Sequence, residues 1–556
     1  MSRIPAVFDR VAGEVSTTGC WILIPHIKVG CLADRVSYRK FNPMITRNAV
    51  SVLVLLTGFF IATEVVADVK LPSVFSDHMV LQRDATVPVW GWADPGEKVT
   101  VTIAEQIKTT TADADGKWRI TLDKISASKP LTMTVKGKNT ITVQDVLIGE
   151  VWLASGQSNM QLPINDVNSA GQEKASAKFP QIRMFTVAKR PAVTPQTNCE
   201  GEWVVCSPET VGKFSAAAYF FGRELHQKLG TPVGLINASW GGTPIEAWTS
   251  MPRMEGKPEF TPVFKEWEEK LRLPYNEEKA MAQYEKQLAT WKTNSEIRKA
   301  EGKPAGNPPE QPVNPRAHKN YPANLFNGMI APIIPYAIRG GIWYQGENNA
   351  RSEFAKLYAT QLPLLIQDWR QRWHEGDFPF AWVQLPNFKQ ATNDPAAPSD
   401  WAVMRESMLK SLSVPNTGMA ITIDVGDPTN IHPKNKQAVG HRLALWALAQ
   451  VYGEKIPFSG PLPDGQKING TEITLSFTHT DGGLMAKDGA LKGFVIAGAD
   501  HKWVWAQARI KDNQVIVSSP EVKAPVAVRY AWADNPECNL YNGAGLPASP
   551  CRTDDW

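Results

Sequence analysis

The chain has 556 residues, 59 Lys and Arg against 55 Asp and Glu, a formal charge of +4 and 43% hydrophobic residues. That length holds two to four domains, the apolar share is that of a globular protein, and a small net charge without a basic stripe argues against nucleic acid as a partner. The 20 Trp, 42 Pro and 40 Gly describe a loop-rich chain with short strands and many flat aromatic surfaces, which suit sugars but also fill cores.

In chain order the first feature is an apolar run. Arg47 precedes the stretch 49–62, and the small residue Ala67 stands just before Asp68. This is the layout of a secretory signal peptide cleaved after Ala67. The run is short for a membrane span of about 20 residues, and Glu64 follows it. A signal belongs at a chain start, so Met44 is the expected initiator, and residues 1–67 are set aside from the fold. The expectation is an exported protein, periplasmic or extracellular, with no stable membrane span after processing. Outside that stretch lie Cys199, Cys206, Cys538 and Cys551. Export permits the near-neighbour disulfides Cys199–Cys206 and Cys538–Cys551, and free buried thiols are the alternative. No Cys/His spacing points to zinc, so no metal is expected.

Residues 68–146 read as a small β-sandwich: VPVWGWA, KVTVTIA, KWRITL and LTMTVKG are broken by the turn sequences DPGE, DADGK and SASKP. From 147 to 453 apolar strands (VLIGEVWLA, VGLINASW, GGIWYQ, FAWVQL, GMAITID) alternate with helical patterns, which predicts a parallel sheet flanked by helices. Residues 252–324 interrupt it with a charged helical and then Pro-rich insertion, either a lid over the site or a solvated decoration. Residues 454–556 return to β-like runs.

Four short segments, each after a predicted strand, carry the chemistry. Open α/β sheets place their sites at such strand ends. In GQSNM, Ser158 sits in a tight Gly turn that would expose its hydroxyl. A nearby base must take its proton to make it a nucleophile. Met160 stands where the second Gly of a G-x-S-x-G elbow would be. In IHPKNK, His432 precedes a helix expected to begin near Pro433 or Lys434, with Val439, Leu443, Trp446 and Gln450 at helical spacing. A base of near-neutral pKa held on a rigid element suits general catalysis. In SWGGTP, Gly241 and Gly242 let backbone N–H groups approach an oxyanion. In WYQGENN, the amides of Gln345 and Asn348 could complete that hole. Singly, these are also an ordinary turn Ser, a helix-capping His, a strand-ending turn and a polar loop.

Together the four blocks closely resemble the SGNH hydrolase superfamily. GQSNM, INASWGGTPIEAW, IWYQGENN and IHPKNKQAVGHRLA resemble its sialate O-acetylesterase-like branch of carbohydrate acetylesterases. The resemblance runs from Leu71 to the C-terminus and includes SDHMVLQR and GLPASP. It implies a three-layer α/β/α fold with Ser158 as nucleophile, His432 as base and no cofactor. The N–H groups of Ser158 and of Gly241 or Gly242 would hold the oxyanion. The family's G-x-N-D falls on Gly346, Glu347, Asn348 and Asn349, which gives Asn348 the amide role and leaves Gln345 as its competitor. One position departs: the Asp usual three residues before the His is Thr429. Asp427, or else Asp424, would then orient the imidazole, or a backbone carbonyl would do so and leave a dyad. The implied substrate is an acetylated carbohydrate, with Trp240, Trp343, Tyr344 and Glu347, and also Trp248, lining the site. A non-catalytic sugar-binding protein, or an esterase acting on a lipid or peptide, are the rival classes. Intact Ser158 and His432 argue against the first, and the aromatic and polar lining against the second.

Overall fold

The computed structural model describes residues 68–556 apart from 273 and 307, so the expected signal segment and everything before it lie outside the described residues. The N-terminal strands show the alternation of a half-buried sheet: Lys98–Ile103 and Lys117–Leu122 turn Val99, Val101, Ile103, Trp118, Ile120 and Leu122 inward. Val87–Trp92 pairs antiparallel with Lys117–Leu122, and Lys98–Ile103 with Gln106–Thr111 and Leu131–Lys136.

The next strand, β1 (Thr140–Gly156), is 17 residues long. Its first part pairs antiparallel with Leu131–Lys136, and from Trp152 onward it lies between parallel neighbours. Burial changes along it from alternating to continuous, because the strand passes from a sheet with one wet face to one covered on both. The boundary anticipated at 146/147 therefore falls inside a single strand.

The central sheet contains β1, β2 (Phe179–Thr186), β3 (Trp203–Cys206), β4 (Val233–Ser239), β5 (Gly340–Tyr344), β6 (Phe380–Val383) and β7 (Thr417–Ala420), in the order β7-β6-β5-β1-β4-β2-β3. All neighbours are parallel except β3, which runs antiparallel to β2. Helices cover both faces. Trp152 on β1 meets Phe221 of α2 (Ala216–Leu229) and Trp446 of α7 (Lys436–Gln450) edge-on. Trp343 is three positions past Gly340, the register partner of Trp152, so it points to the opposite face, where it meets Trp369 of α5 (Ser352–Trp373). This is the three-layer α/β/α arrangement, with α6 (Asp400–Lys410) beside α5.

Two helix details bear on the site. Between β1 and β2 the chain makes a one-turn helix, α1 (Ser158–Gln161). Helix α7 begins at Lys436, later than Pro433 suggests, because the Asn435 side chain caps it by accepting from the Ala438 N–H at 3.2 Å. Within the insertion, α3 (Thr261–Leu271) is seated through Val263 and Trp267, whereas along α4 (Glu277–Ala300) Ser295 is the buried residue. The tail of the insertion returns to the segment after β4, where the Asn320 amide donates to the Gly242 carbonyl at 3.0 Å.

The C-terminal region forms antiparallel sheets, among them Leu462–Asn469, Glu472–Thr478, Gln514–Ser518 and Gln507–Lys511, around a core of its own. Arg405 of α6, fully buried, joins it to the central domain by donating to the carbonyls of Leu385, Pro386, Ala533 and Asp534. The anticipated disulfides are not formed: Cys199, Cys206, Cys538 and Cys551 are free. Burial pushes the thiols of Cys199, Cys206 and Cys551 up to about 12, which leaves them inert. Among the described residues, no helix is long and apolar enough to cross a membrane.

Candidate active site

Three neighbouring strands end level with one another. Ser239 of β4 and Tyr344 of β5 are both register partners of Gly156, the last residue of β1. The Trp240 N–H donates to the Gly156 carbonyl and the Gln157 N–H to the Tyr344 carbonyl, both at 3.0 Å, which ties the segments after the three strands together. Gly156 has φ +140°, and a Cβ there would sit 2.1 Å from the Tyr344 oxygen, so this turn requires glycine. It delivers Ser158 to the first position of α1, where its N–H has no partner within the helix.

The loop after β7 brings in the base. His432 Nε2 lies 2.8 Å from Ser158 Oγ, and both residues are half-buried. Burial, and then the Lys436 charge, push the imidazole below its ordinary pKa, which favours the neutral form needed to take a proton. Among the described residues, no carboxylate is bonded to it. Asp427 instead accepts from the N–H and the hydroxyl of Thr429, both at 2.8 Å, and Asp424 is held by Arg442 and Tyr541. The acid anticipated at Asp427, or alternatively at Asp424, is therefore not bonded to His432, because each carboxylate is engaged elsewhere.

The oxyanion candidates separate. A Cβ on Gly241 would lie 3.2 Å from Ser158 Cβ, which places this glycine against the nucleophile. Its N–H donates to Gln161 Oε1 at 2.8 Å. Gly242 has φ +71°, and its carbonyl accepts from the Asn348 and Asn320 amides at 3.2 and 3.0 Å. Asn348 is half-buried at the same edge. Gln345 is fully buried: its amide bonds Thr243 and Asn349, and its oxygen accepts from Tyr358. Those bonds hold Gln345 within the interior, whereas Asn348 stands at the sheet edge.

Residues 319–449 match the family model described as carbohydrate esterase, sialic acid-specific acetylesterase. The sialate O-acetylesterase of Rattus norvegicus is 30% identical over 91% of this chain and 98% of its own length. The chain belongs to the sialate O-acetylesterase family. The human sialate O-acetylesterase is likewise 30% identical, over 86% of this chain and 92% of its own. A crystal structure of a carbohydrate acetylesterase from Xanthomonas citri is 37% identical with a TM-score of 0.75, covering 88% of this chain and all of that one.

For a member of this family, the lining is not where the motifs suggested. Trp343 and Tyr344 are fully buried, as is Trp248, and Glu347 is 9% exposed. Trp343 packs between Trp248 and Trp369, and the Glu347 carboxylate accepts from the Asn159 amide, so all four support the site from within. Trp240 alone among the five aromatic and acidic candidates reaches the surface. Its ring lies 5.8 Å from Lys189 Nζ and 5.7 Å from Lys319 Nζ. Motif reading passed over these two lysines, and also Asn320, Asn159 and Lys436. Lys189 and Lys319 lie outside the blocks, so only the fold could find them. Asn159 and Lys436 stand inside GQSNM and IHPKNK, where their burial was the missing signal. Among the described residues, no group of three or more His, Cys, Asp or Glu is placed to hold a metal ion.

Proposed function

We propose that this chain removes O-acetyl groups from carbohydrates through an acetyl-enzyme on Ser158. The observation that carries the reading is the 2.8 Å contact between Ser158 Oγ and His432 Nε2 at the sheet edge, in a chain of this family. His432 takes the hydroxyl proton as Ser158 attacks the acetyl carbonyl. The N–H groups of Ser158 and of Gly241 or Gly242, with the Asn348 amide, stabilise the oxyanion, and loss of one such donor costs about 10²–10³ in turnover. The sugar hydroxyl leaves with the proton from His432, and water then deacylates the serine by the same route. For Gly241 to donate to the oxyanion, the Gln161 side chain must release it.

Trp240 directly precedes Gly241, which lies against the nucleophile, and the two ammonium groups over its ring favour an acetylated sugar that carries a carboxylate, such as a sialic acid, over neutral xylan or xyloglucan fragments. Export to the periplasm or cell exterior, read from residues 44–67, fits such a substrate. Acetate release by residues 68–556 across acetylated sialic acids, xylo-oligosaccharides and xyloglucan fragments tests this, with Ser158→Ala as control. The account expects release that Ser158→Ala abolishes, and the greatest kcat/KM on the acidic sugar. Binding without release from any of them would favour a sugar-binding protein, and a preference for the neutral fragments would remove the role given to the lysines.

A further inference from the structure

A general base must be oriented, and His432 is not oriented by an acid. The peptide units on either side of it are gripped instead. The Ile431 carbonyl accepts from the Asn159 amide at 2.9 Å, and the Pro433 carbonyl accepts from Lys436 Nζ at 2.8 Å. The two grips are one assembly, since Lys436 Nζ also donates to Asn159 Oδ1 at 2.6 Å. On its other side the Asn159 amide donates to Glu347 Oε1 at 2.5 Å, and Lys436 Nζ stands 5.1 Å from the centre of the Tyr344 ring. Asn159 and Lys436 are completely buried. Asn159 directly follows Ser158, and Lys436 opens α7, so the same bonds that fix the base fix the turn that carries the nucleophile.

The chemistry of the set is unusual for a structural contact. A buried ammonium is costly to desolvate and is rarely kept unless paired. Burial pushes Lys436 down to about 7 against the opposing pull of Glu347, while burial pushes the Glu347 carboxyl up. An apolar residue would fill the space without that cost, but would leave the Pro433 carbonyl and the Asn159 amide oxygen without this donor.

We propose that Asn159 and Lys436 are positioning residues that hold the His432 backbone from both sides, with Glu347 accepting from Asn159 behind them, in the place that an acid on the imidazole would otherwise fill. The proposal rests on the reading of Ser158 and His432 as nucleophile and base. Its test is the kinetics of Lys436→Met, which keeps the volume and removes both donors and charge. Misplacing a catalytic group by about 1 Å costs on the order of 10² in rate, so kcat falls by about that factor while KM changes little. Lys436 is the charged residue whose field acts on His432. Its removal lets the imidazole pKa rise, and the acid limb of kcat/KM moves to higher pH. A purely structural role moves the thermal midpoint and leaves kcat of the folded variant at the wild-type value.

Should Lys436→Met fail to fold, Asn159→Asp serves, because it can still accept from Lys436 but no longer donates to Ile431 or to Glu347. The expected result is again a loss in kcat rather than KM. Folded variants with wild-type kcat would overturn the clamp, provided Ser158→Ala is inactive in the same assay. An active Ser158→Ala would overturn instead the reading on which the clamp rests.

Discussion

At the scale of single residues, the proposed site is a Ser158–His432 pair with no carboxylate bonded to the imidazole among the described residues. His432 Nε2 faces Ser158, its own N–H donates to the Asn430 side chain at 2.9 Å, and the two nearby carboxylates are committed to Thr429 and Arg442. In a triad, loss of the acid lowers kcat by about 10⁴. Asp427→Asn is therefore expected to retain near-full turnover. Asp424→Asn, which breaks the bidentate pair with Arg442, is expected to cost stability before turnover. Steady-state kcat of the two variants, beside their unfolding midpoints, checks this. A fall in kcat for Asp427→Asn approaching the triad value would restore that residue as the third member.

At the scale of elements, the strand ends were legible and the side-chain directions at those ends were not. Apolar runs that stop at Gly-containing turns identified β1, β4 and β5 and placed GQSNM, SWGG and YQGENN together at one edge. Ser158 and His432 followed from those blocks and from the resemblance. The block WYQGENN begins inside a strand and ends in a loop, so Trp343 and Tyr344 share its sequence but not its exposure. Both still belong to β5, where neighbours alternate between faces and both faces are covered by helices. The start of α7 was displaced because Pro433 fits a first helical position, but the nearby Asn435 side chain supplies the cap. The continuity of β1 across the expected domain boundary was hidden by its change of burial pattern midway, which reads as two strands. Nothing in the pattern marks Lys436 as buried, since lysine in a first helical turn is ordinarily solvated.

At the scale of the whole molecule, the N-terminal region and the catalytic sheet share more than a strand. Glu150 of β1, fully buried, accepts from Arg83 on the N-terminal side and from Arg339 just before β5, with Gln82 as a third donor at 3.2 Å. Burial alone raises its carboxyl pKa, but Arg339 and Arg83 outweigh that and hold it below the ordinary value. A carboxylate depressed in this way contributes stability above its unfolded pKa and loses it as the pH falls through the folded one. Glu150→Ala is expected to lower stability near neutral pH by about 3 kcal/mol, with the gap from wild type narrowing in acid. Urea unfolding at several pH values measures this, and a gap that widens in acid would contradict the assignment.

The central claim is that Ser158, activated by His432, carries the acetyl group during turnover. The most direct measurement is mass spectrometry of enzyme quenched in acid during turnover of an acetylated sugar. The account predicts one acetyl group on the peptide that contains Ser158, absent from Ser158→Ala and accumulating far more slowly in His432→Ala. Turnover with no acetylated peptide under rapid quench, or an acetyl group on another side chain, would contradict it.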